Sequence, residues 1–263
     1  MEFTTAQETD VCELKEIWRD IFKDTDAYLD LFFSSKMKPE FTMIARNETE
    51  IASVVYMVDA PLILKNGEII PAFYMCGIAT RPNYRGQGLA GKLIHMAFEK
   101  AKEKGAKVCY LIPANLPLFE FYKSFGMQTF AYMRKAELDG TQAAIPPHTC
   151  EKDIEKVKMH YAVKPVAFKS FRSEKDWKYI YACYENVLLF ENGYMVMPEE
   201  EDCVILAEQS FDGLEIAKAI AHRKGKKLKV MLPGTNTDTP FAVVKYLDES
   251  IDLPDGYINL MLN

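Results

Sequence analysis

Arg85-Gly86-Gln87-Gly88-Leu89-Ala90 stands between a buried strand and an amphipathic helix, and three known loop chemistries compete for it. Gly86, Gly88 and Gly91 satisfy G-x-G-x-x-G, the dinucleotide fingerprint. The run from Arg81 to Arg85 that precedes them is too long for the tight turn of that fingerprint, and no acid ends the next strand, Val108–Ile112, to hold a ribose. Gly86 to Lys92 also fits G-x-x-x-x-G-K, but Leu93 follows where a magnesium-binding hydroxyl is required. The third reading is R-x-x-G-x-A over Arg85, Gly88 and Ala90. Small residues there let the backbone N–H groups of a helix N-terminus approach a pyrophosphate closely, with no metal.

Working outward, apolar Leu89, Leu93, Ala97 and Ala101 with Ala90, Ile94 and Phe98 predict a helix over Gln87–Lys104, ended by Gly105. Tyr74–Thr80 before it reads as a buried strand. Asn66-Gly67, between Pro61–Leu64 and Ile69–Phe73, predicts a hairpin whose two turn residues both take positive φ. Further upstream, Phe41–Ala45 and Ile51–Val58 read as strands. Val11, Leu14, Trp18, Ile21 and Phe22 recur at helical spacing behind Asp10, an N-cap with Glu13 three residues on, and a short helix follows over Asp26–Ser34. Downstream come a strand, Val108–Ile112, a helix opened by Asn115 and closed by Gly126, and a strand, Met127–Arg134. This order predicts an α/β (α+β) fold with a mixed, largely antiparallel sheet flanked by helices.

With Gly77–Arg85 leading in, and Asn115, Phe121-Tyr122 and Gly126-Met127 following, residues 3–135 resemble the GNAT superfamily of N-acetyltransferases. That superfamily carries [QR]-x-x-G-x-[GA] between its fourth strand and third helix. The resemblance implies acetyl-CoA as cosubstrate and no metal. The backbone of Ile78, Ala79 and Thr80 would pair with the pantetheine arm, and amides from Arg85, Gly86, Gln87, Gly88, Leu89 and Ala90 would hold the pyrophosphate. Asn115 opens the next part of the cofactor site.

Tyr122 matches the tyrosine that this superfamily uses as general acid toward the departing sulfur, its hydroxyl being a proton donor at neutral pH. Packing beside Phe119 and Phe121 is the structural alternative. Tyr74, Met75 and Cys76 occupy the strand region where many relatives place a glutamate base. Two-domain relatives that acetylate aminoglycosides bring their C-terminal carboxylate into the site, which makes the terminus of Asn263 a candidate base. Asp24, Asp26 and Asp30, at the first two helices, are candidates for holding an amine, or solvated helix-end charges.

Residues 139–150, rich in Gly, Thr, Gln, Ala and Pro, read as a linker between a domain over 1–138 and a second over 151–263. In the second, helices near Glu174–Tyr184 and Gly213–Arg223 and strands near Val187–Phe190, Tyr194–Met197, Cys203–Ala207, Leu228–Leu232, Phe241–Leu247 and Tyr257–Leu262 repeat a similar order. Its counterpart of the glycine loop, Glu208–Gly213, lacks R-x-x-G-x-A, and Asp212 would set a carboxylate where a phosphate must sit. The expectation is a degenerate GNAT-like domain that binds no CoA and shapes the acceptor cleft.

Composition bounds the rest. A chain of 263 residues with 49% hydrophobic and 27% charged residues supplies the cores of two modest domains. A net charge of −6 without a basic run argues against nucleic acid and mildly favours a cationic small-molecule amine such as a polyamine or aminoglycoside. Cysteines at 12, 76, 109, 150, 183 and 203 show neither CxxC nor regular spacing, so no zinc site or disulfide framework is expected. Cys76 and Cys109 read as packed strand cysteines rather than nucleophiles, and His95 as a solvated residue. MEFTTAQETD has no signal-peptide pattern and no apolar run spans a membrane, so a cytoplasmic location is expected, with no membrane partner. The rival reading is a catalytically silent acyl-CoA-binding module; a nicotinamide-dependent oxidoreductase is a distant third. Oligomeric state is not legible.

Overall fold

The computed structural model describes residues 1–140, 153–164, 166–184, 186–191, 193–197, 204–209, 213–225, 227–254 and 256–258. In chain order its elements are β1 (Glu2–Thr5), α1 (Val11–Phe22), α2 (Asp26–Ser35), β2 (Thr42–Arg46), β3 (Ile51–Asp59), β4 (Leu62–Leu64), β5 (Ile69–Ile70), β6 (Ala72–Thr80), α3 (Leu89–Glu103), β7 (Val108–Leu111) and α4 (Leu116–Lys123). Then come β8 (Gln128–Leu138), α5 (Ile154–Ala162), β9 (Phe168–Ser170), α6 (Glu174–Cys183), β10 (Asn186–Phe190), β11 (Gly193–Met197), β12 (Val204–Gln209), α7 (Gly213–Lys224), β13 (Leu228–Pro233) and β14 (Thr239–Tyr246). The expected mixed, largely antiparallel sheet flanked by helices is what forms.

Two compact units divide the chain, Met1–Thr129 with Ala242–Leu253, and Phe130–Phe241 with Pro254–Asn263. They are not the two consecutive stretches expected. Strand Phe241–Leu247, read as part of the second domain, returns as β14 to complete the first unit, where Val243 pairs with Leu111 and Tyr246 with Val108. The proposed linker, apart from Asp139 and Gly140, lies outside the described residues, as do Cys150, Cys203 and the end of the expected strand Tyr257–Leu262.

The first unit orders its strands β1-β2-β3-β6-β7-β14, antiparallel except for β6 beside β7. Helix α3 crosses between those two parallel strands, burying Leu93, Ile94, Ala97, Phe98 and Ala101. Helix α1 buries Leu14, Ile17 and Trp18, and α2 buries Leu29, Phe32 and Phe33, so that Trp18 packs on Phe32 and Tyr56. Strand β1 escapes the sequence pattern because four residues at a sheet edge, half exposed, carry no clear alternation.

Two local expectations are corrected. Asp10 does not cap α1 by its side chain; it accepts hydrogen bonds from the Gln7 amide (2.8 Å) and Arg46 (3.0 Å). The Asn66-Gly67 hairpin forms, but only Gly67 has positive φ (88°). Ile63 opposite Ile69 and the Leu64–Glu68 backbone bond leave three loop residues, with the Asn66 side chain accepting from the Glu68 amide. A glycine following a three-residue turn needs only one left-handed position.

The second unit orders its strands β8-β13-β12-β11-β10. Its β12 and β13 are parallel and joined through α7, and the other pairings are antiparallel. Ile216, Ala217, Ile220 and Ala221 of α7 pack with Leu228, Val230 and Leu232 of β13 in one core. A second core gathers Val157, Tyr161, Trp177, Ile180 and Tyr194. Helix α5 and strand β9 are absent from the sequence reading. Among the described residues no helix is long and apolar enough to cross a membrane, and no group of three metal-ligating side chains forms.

Candidate active site

Two irregularities in the first unit's sheet create the site. Opposite β3, the register moves from Val54↔Ala79 to Tyr56↔Cys76, so β6 spends one residue more than its partner and bulges. Gly77 sits in that bulge with φ of 55°. A Cβ there would lie 2.5 Å from the Trp18 ring and 2.7 Å from Tyr56, so both space and backbone demand glycine. On the other side, β6 pairs with β7 only from Ala72↔Val108 to Tyr74↔Tyr110. Beyond Tyr74 the parallel strands part, and Ile78 and Thr80 lie half-buried where the edge of β6 is open; the Ala79 carbonyl accepts from Ser53 (2.9 Å). Gly77→Ala is expected to cost about 2–4 kcal/mol, combining left-handed strain with overpacking of an aromatic cluster. Urea denaturation checks it: a midpoint equal to the native one would mean that the bulge does not depend on glycine.

The loop after β6 is anchored before it reaches the glycines. Arg81 donates to the Ile51 carbonyl (2.8 Å) and pairs with Glu13 (3.2 Å) and Glu50 (3.3 Å). The Tyr84 hydroxyl donates to Glu50 (2.9 Å) and accepts from Asn47 (2.8 Å); its pKa is raised, the hydrogen bond to Glu50 being the foremost cause and the bond from Asn47 opposing it. The Arg85 side chain turns back to the Thr80 carbonyl (3.1 Å).

Gly86 (φ 75°) and Gly88 (φ 71°) then take left-handed conformations, with Gly88 as the N-cap of α3. Nothing lies within 4 Å of a Cβ built at either. The first internal bond of the helix runs from the Lys92 amide to the Gly88 carbonyl (3.2 Å), leaving the amides of Leu89, Ala90 and Gly91 without an intrahelical partner. No acid stands in this first turn. Open space, orphan donors and the positive end of the dipole suit an anion. The third glycine has another role: a Cβ on Gly91 would press at 3.2 Å on Phe125, so Gly91 serves packing and the G-x-G-x-x-G match is fortuitous. Leu89 is buried, and only its amide is available to a ligand.

Beyond β7, the Asn115 side chain accepts from the Leu118 amide (3.3 Å) and caps α4. That helix carries Tyr122, 6% exposed and edge-on to Phe121. Burial pushes its phenol up to about 12. The Tyr122, Tyr28 and Cys76 side chains lie close enough to Tyr74 to influence its ionisation, while the Ile112 amide donates to the Tyr74 hydroxyl; burial holds the Tyr74 pKa well above the usual phenol value. Burial likewise raises Cys76 far above an ordinary thiol and Cys109 to about 12, so neither is a thiolate nucleophile.

The remaining candidates do not join this cluster. Asp24 accepts from the Trp18 indole (2.7 Å), Asp26 pairs with Arg19 (2.6 Å) and Asp30 with Lys15 (2.6 Å). His95 is exposed, with its ring against Phe98 and Phe125. Asn263, and residues 210–212 of the second glycine-loop counterpart, lie outside the described residues. Sequence reasoning missed the Glu13–Arg81–Glu50–Tyr84 anchor and the role of Gly77. A lone glycine inside a strand pattern was the available signal for the bulge.

Residues 2–130 match the family model for the Acetyltransferase (GNAT) domain. N-alpha-acetyltransferase 30 of Schizosaccharomyces pombe is 28% identical over 137 residues, covering 51% of this chain and 86% of that relative. Among solved structures, the Enterococcus faecalis V583 protein described as "Probable N-Acyltransferase" aligns with a TM-score of 0.71 at 12% identity, covering 94% of this chain and 73% of that one. The GCN5-related N-acetyltransferase of Anabaena variabilis aligns with a TM-score of 0.67 at 13% identity, covering 94% and 73%. The structural likenesses speak for the fold, and the family match for the segment that contains the bulge, the glycine loop and Tyr122: residues 2–130 of this chain are similar to a GNAT acetyltransferase domain.

Proposed function

We propose that the protein transfers the acetyl group of acetyl-CoA to a primary amine. The observation that carries this reading is the pair of left-handed glycines, Gly86 and Gly88, opening α3 with unpaired amides and empty space before them. In this reading the amides from Arg85 to Ala90 hold the pyrophosphate, and the open edge of β6 at Ile78–Thr80 receives the pantetheine arm. The Asn115 side chain, already capping α4, borders the site. Arg81 is neutralised by Glu13 and Glu50 and positions the loop rather than binding phosphate.

Tyr122 is the proton donor to the departing sulfur. Its raised pKa keeps the hydroxyl protonated, and hence able to donate, throughout the range below about 12. Tyr122→Phe is expected to lower kcat about 100-fold or more, within the span of general acid catalysis, and to leave acetyl-CoA affinity unchanged. A CoA-sensing module would lose nothing, so equal turnover by the variant would remove Tyr122 from the chemistry. The terminal carboxylate of Asn263 remains a proposal for proton removal, tested by appending residues to the chain end and asking whether turnover survives. For the second unit, the parallel β12–α7–β13 arrangement supports the reading of a degenerate GNAT-like fold, and isotope-free calorimetry with CoA on a Gly88-blocked chain should detect no second site.

A further inference from the structure

At the β1 edge of the first unit's sheet, a cavity of about 490 Å³, open to solvent, is lined by Met1, Glu2, Arg46, Asn47, Glu48 and Thr49. None of these residues belongs to the glycine loop or to the parting of β6 from β7. We infer that this cavity is a regulatory site for a free α-amino acid with a cationic side chain, coupled to acetyl-CoA binding through Asn47. The coupling, though not the amino acid site itself, rests on the acetyl-CoA reading above.

The backbone builds the walls. Strands β1 and β2 are antiparallel with Glu2 opposite Arg46, which sets both side chains on one face of the sheet. Beside them the β2–β3 register moves from Ala45↔Ser53 to Arg46↔Ile51, so β3 carries one residue more and the sheet bends at Arg46. The turn that follows is fixed by Asn47, whose side-chain oxygen accepts from the amides of Thr49 and Glu50 and from the Thr49 hydroxyl, each at 2.9 Å.

The charges on these walls select the ligand. Arg46 gives one nitrogen, Nη1, to the buried carboxylate of Asp10 (3.0 Å), and its other donors have no partner among the described residues. A guanidinium already held on one side is a fork set for a second carboxylate. Glu2 and Glu48 are exposed and form no ion pair with the described residues. Among the lining side chains one is therefore positive and two are negative. The complement is a ligand with one carboxylate and two cationic groups, the set carried by an α-amino acid with a cationic side chain. The half-exposed Met1 side chain offers its aliphatic stem an apolar contact. The two acids repel a phosphate, which sets this cavity apart from the anion site at Gly88.

Asn47 joins the two sites. Its side-chain nitrogen donates to the Tyr84 hydroxyl (2.8 Å), which donates to Glu50 (2.9 Å), and Glu50 with Glu13 holds Arg81 at the head of the glycine loop. A ligand that steadies the 47–50 turn thereby steadies the support of the pyrophosphate amides. By linkage, acetyl-CoA strengthens that ligand by the same factor.

The test titrates the full chain calorimetrically with L-lysine, in the absence and presence of saturating acetyl-CoA. The expected Kd is on the order of 1 mM without cosubstrate and about 5-fold lower with it. Pentane-1,5-diamine, which is lysine without its carboxylate, and L-alanine, which lacks the second cation, should each bind at least about 5-fold more weakly. Glu48→Gln, and Arg46→Lys, which keeps a cation for Asp10, should each weaken L-lysine at least about 5-fold with the urea midpoint unmoved. Glu48→Gln keeps the test decisive if Arg46→Lys loses stability. No binding of L-lysine, or equal binding of the diamine, would overturn the site. So would L-lysine binding untouched by Glu48→Gln, which would put lysine in the acceptor cleft instead. Equal lysine Kd with and without bound acetyl-CoA would overturn the regulatory role. Failure of acetyl-CoA itself to bind would remove the transferase reading and the coupling together while the amino acid site stands on its own titration.

Discussion

Gly88→Glu is expected to weaken acetyl-CoA binding by about 100-fold or more in a calorimetric titration while leaving the protein folded. The fold is spared because two effects oppose each other. A non-glycine residue held at the φ of 71° seen here costs roughly 1–2 kcal/mol, and a carboxylate at a helix N-terminus returns about 0.3–1 kcal/mol. Nothing within 4 Å resists the new side chain. Those same features make the substitution fatal to an anion site: the carboxylate occupies the open space and satisfies the orphan amides of Leu89, Ala90 and Gly91 that a pyrophosphate would otherwise meet. Gly88→Ala separates strain from charge and should weaken binding only several-fold. Undiminished affinity in Gly88→Glu would return both glycines to a purely structural role, and failure of the native protein to bind acetyl-CoA would sink the transferase reading with it.

Why the loop was legible and other parts were not follows from how locally each is encoded. R-x-x-G-x-A states its own geometry: two glycines at positive φ, an apolar helical face behind them and a strand in front. Helix α4 likewise announced itself through Asn115 and Gly126, and Tyr122 fell on its buried side. The site's second half lies in contacts remote along the chain. Gly77 is fixed by Tyr56 and Trp18, which lie on other elements far earlier in the chain, and the loop anchor joins Glu13, Glu50 and Arg81 from three separate stretches of it. The acids of α1 and α2 looked available for an amine because nothing in their spacing reveals the pairing of Asp24 with Trp18 or Asp30 with Lys15. Strand β14 carries the continuous apolar run, Phe241 to Val244, of a strand buried on both faces, and such a run gives no hint of which sheet it joins.

That misplaced strand yields the second large effect: a chain ending after Leu138 is expected not to fold into a stable acetyltransferase domain. Without β14, the β7 edge at Val108–Leu111 loses its antiparallel partner, and the buried Ala242, Val243 and Val244 no longer cover it. Two buried valines contribute about 3–6 kcal/mol and each ladder hydrogen bond about 1 kcal/mol, comparable with the whole 5–15 kcal/mol stability of a typical domain. The ties around Lys107 go as well: its carbonyl accepts from the Leu247 amide (2.9 Å), and its side chain pairs with Asp248. A bare, apolar strand edge then invites aggregation. Joining residues 239–253 to residue 129 through a short Gly-Ser linker should restore a cooperative urea transition, whereas the same linker followed by a scrambled segment should not. If the chain cut after Leu138 unfolds cooperatively with the full-length midpoint, β14 is an accessory to the first unit and the linear domain division of the sequence is the physically correct one.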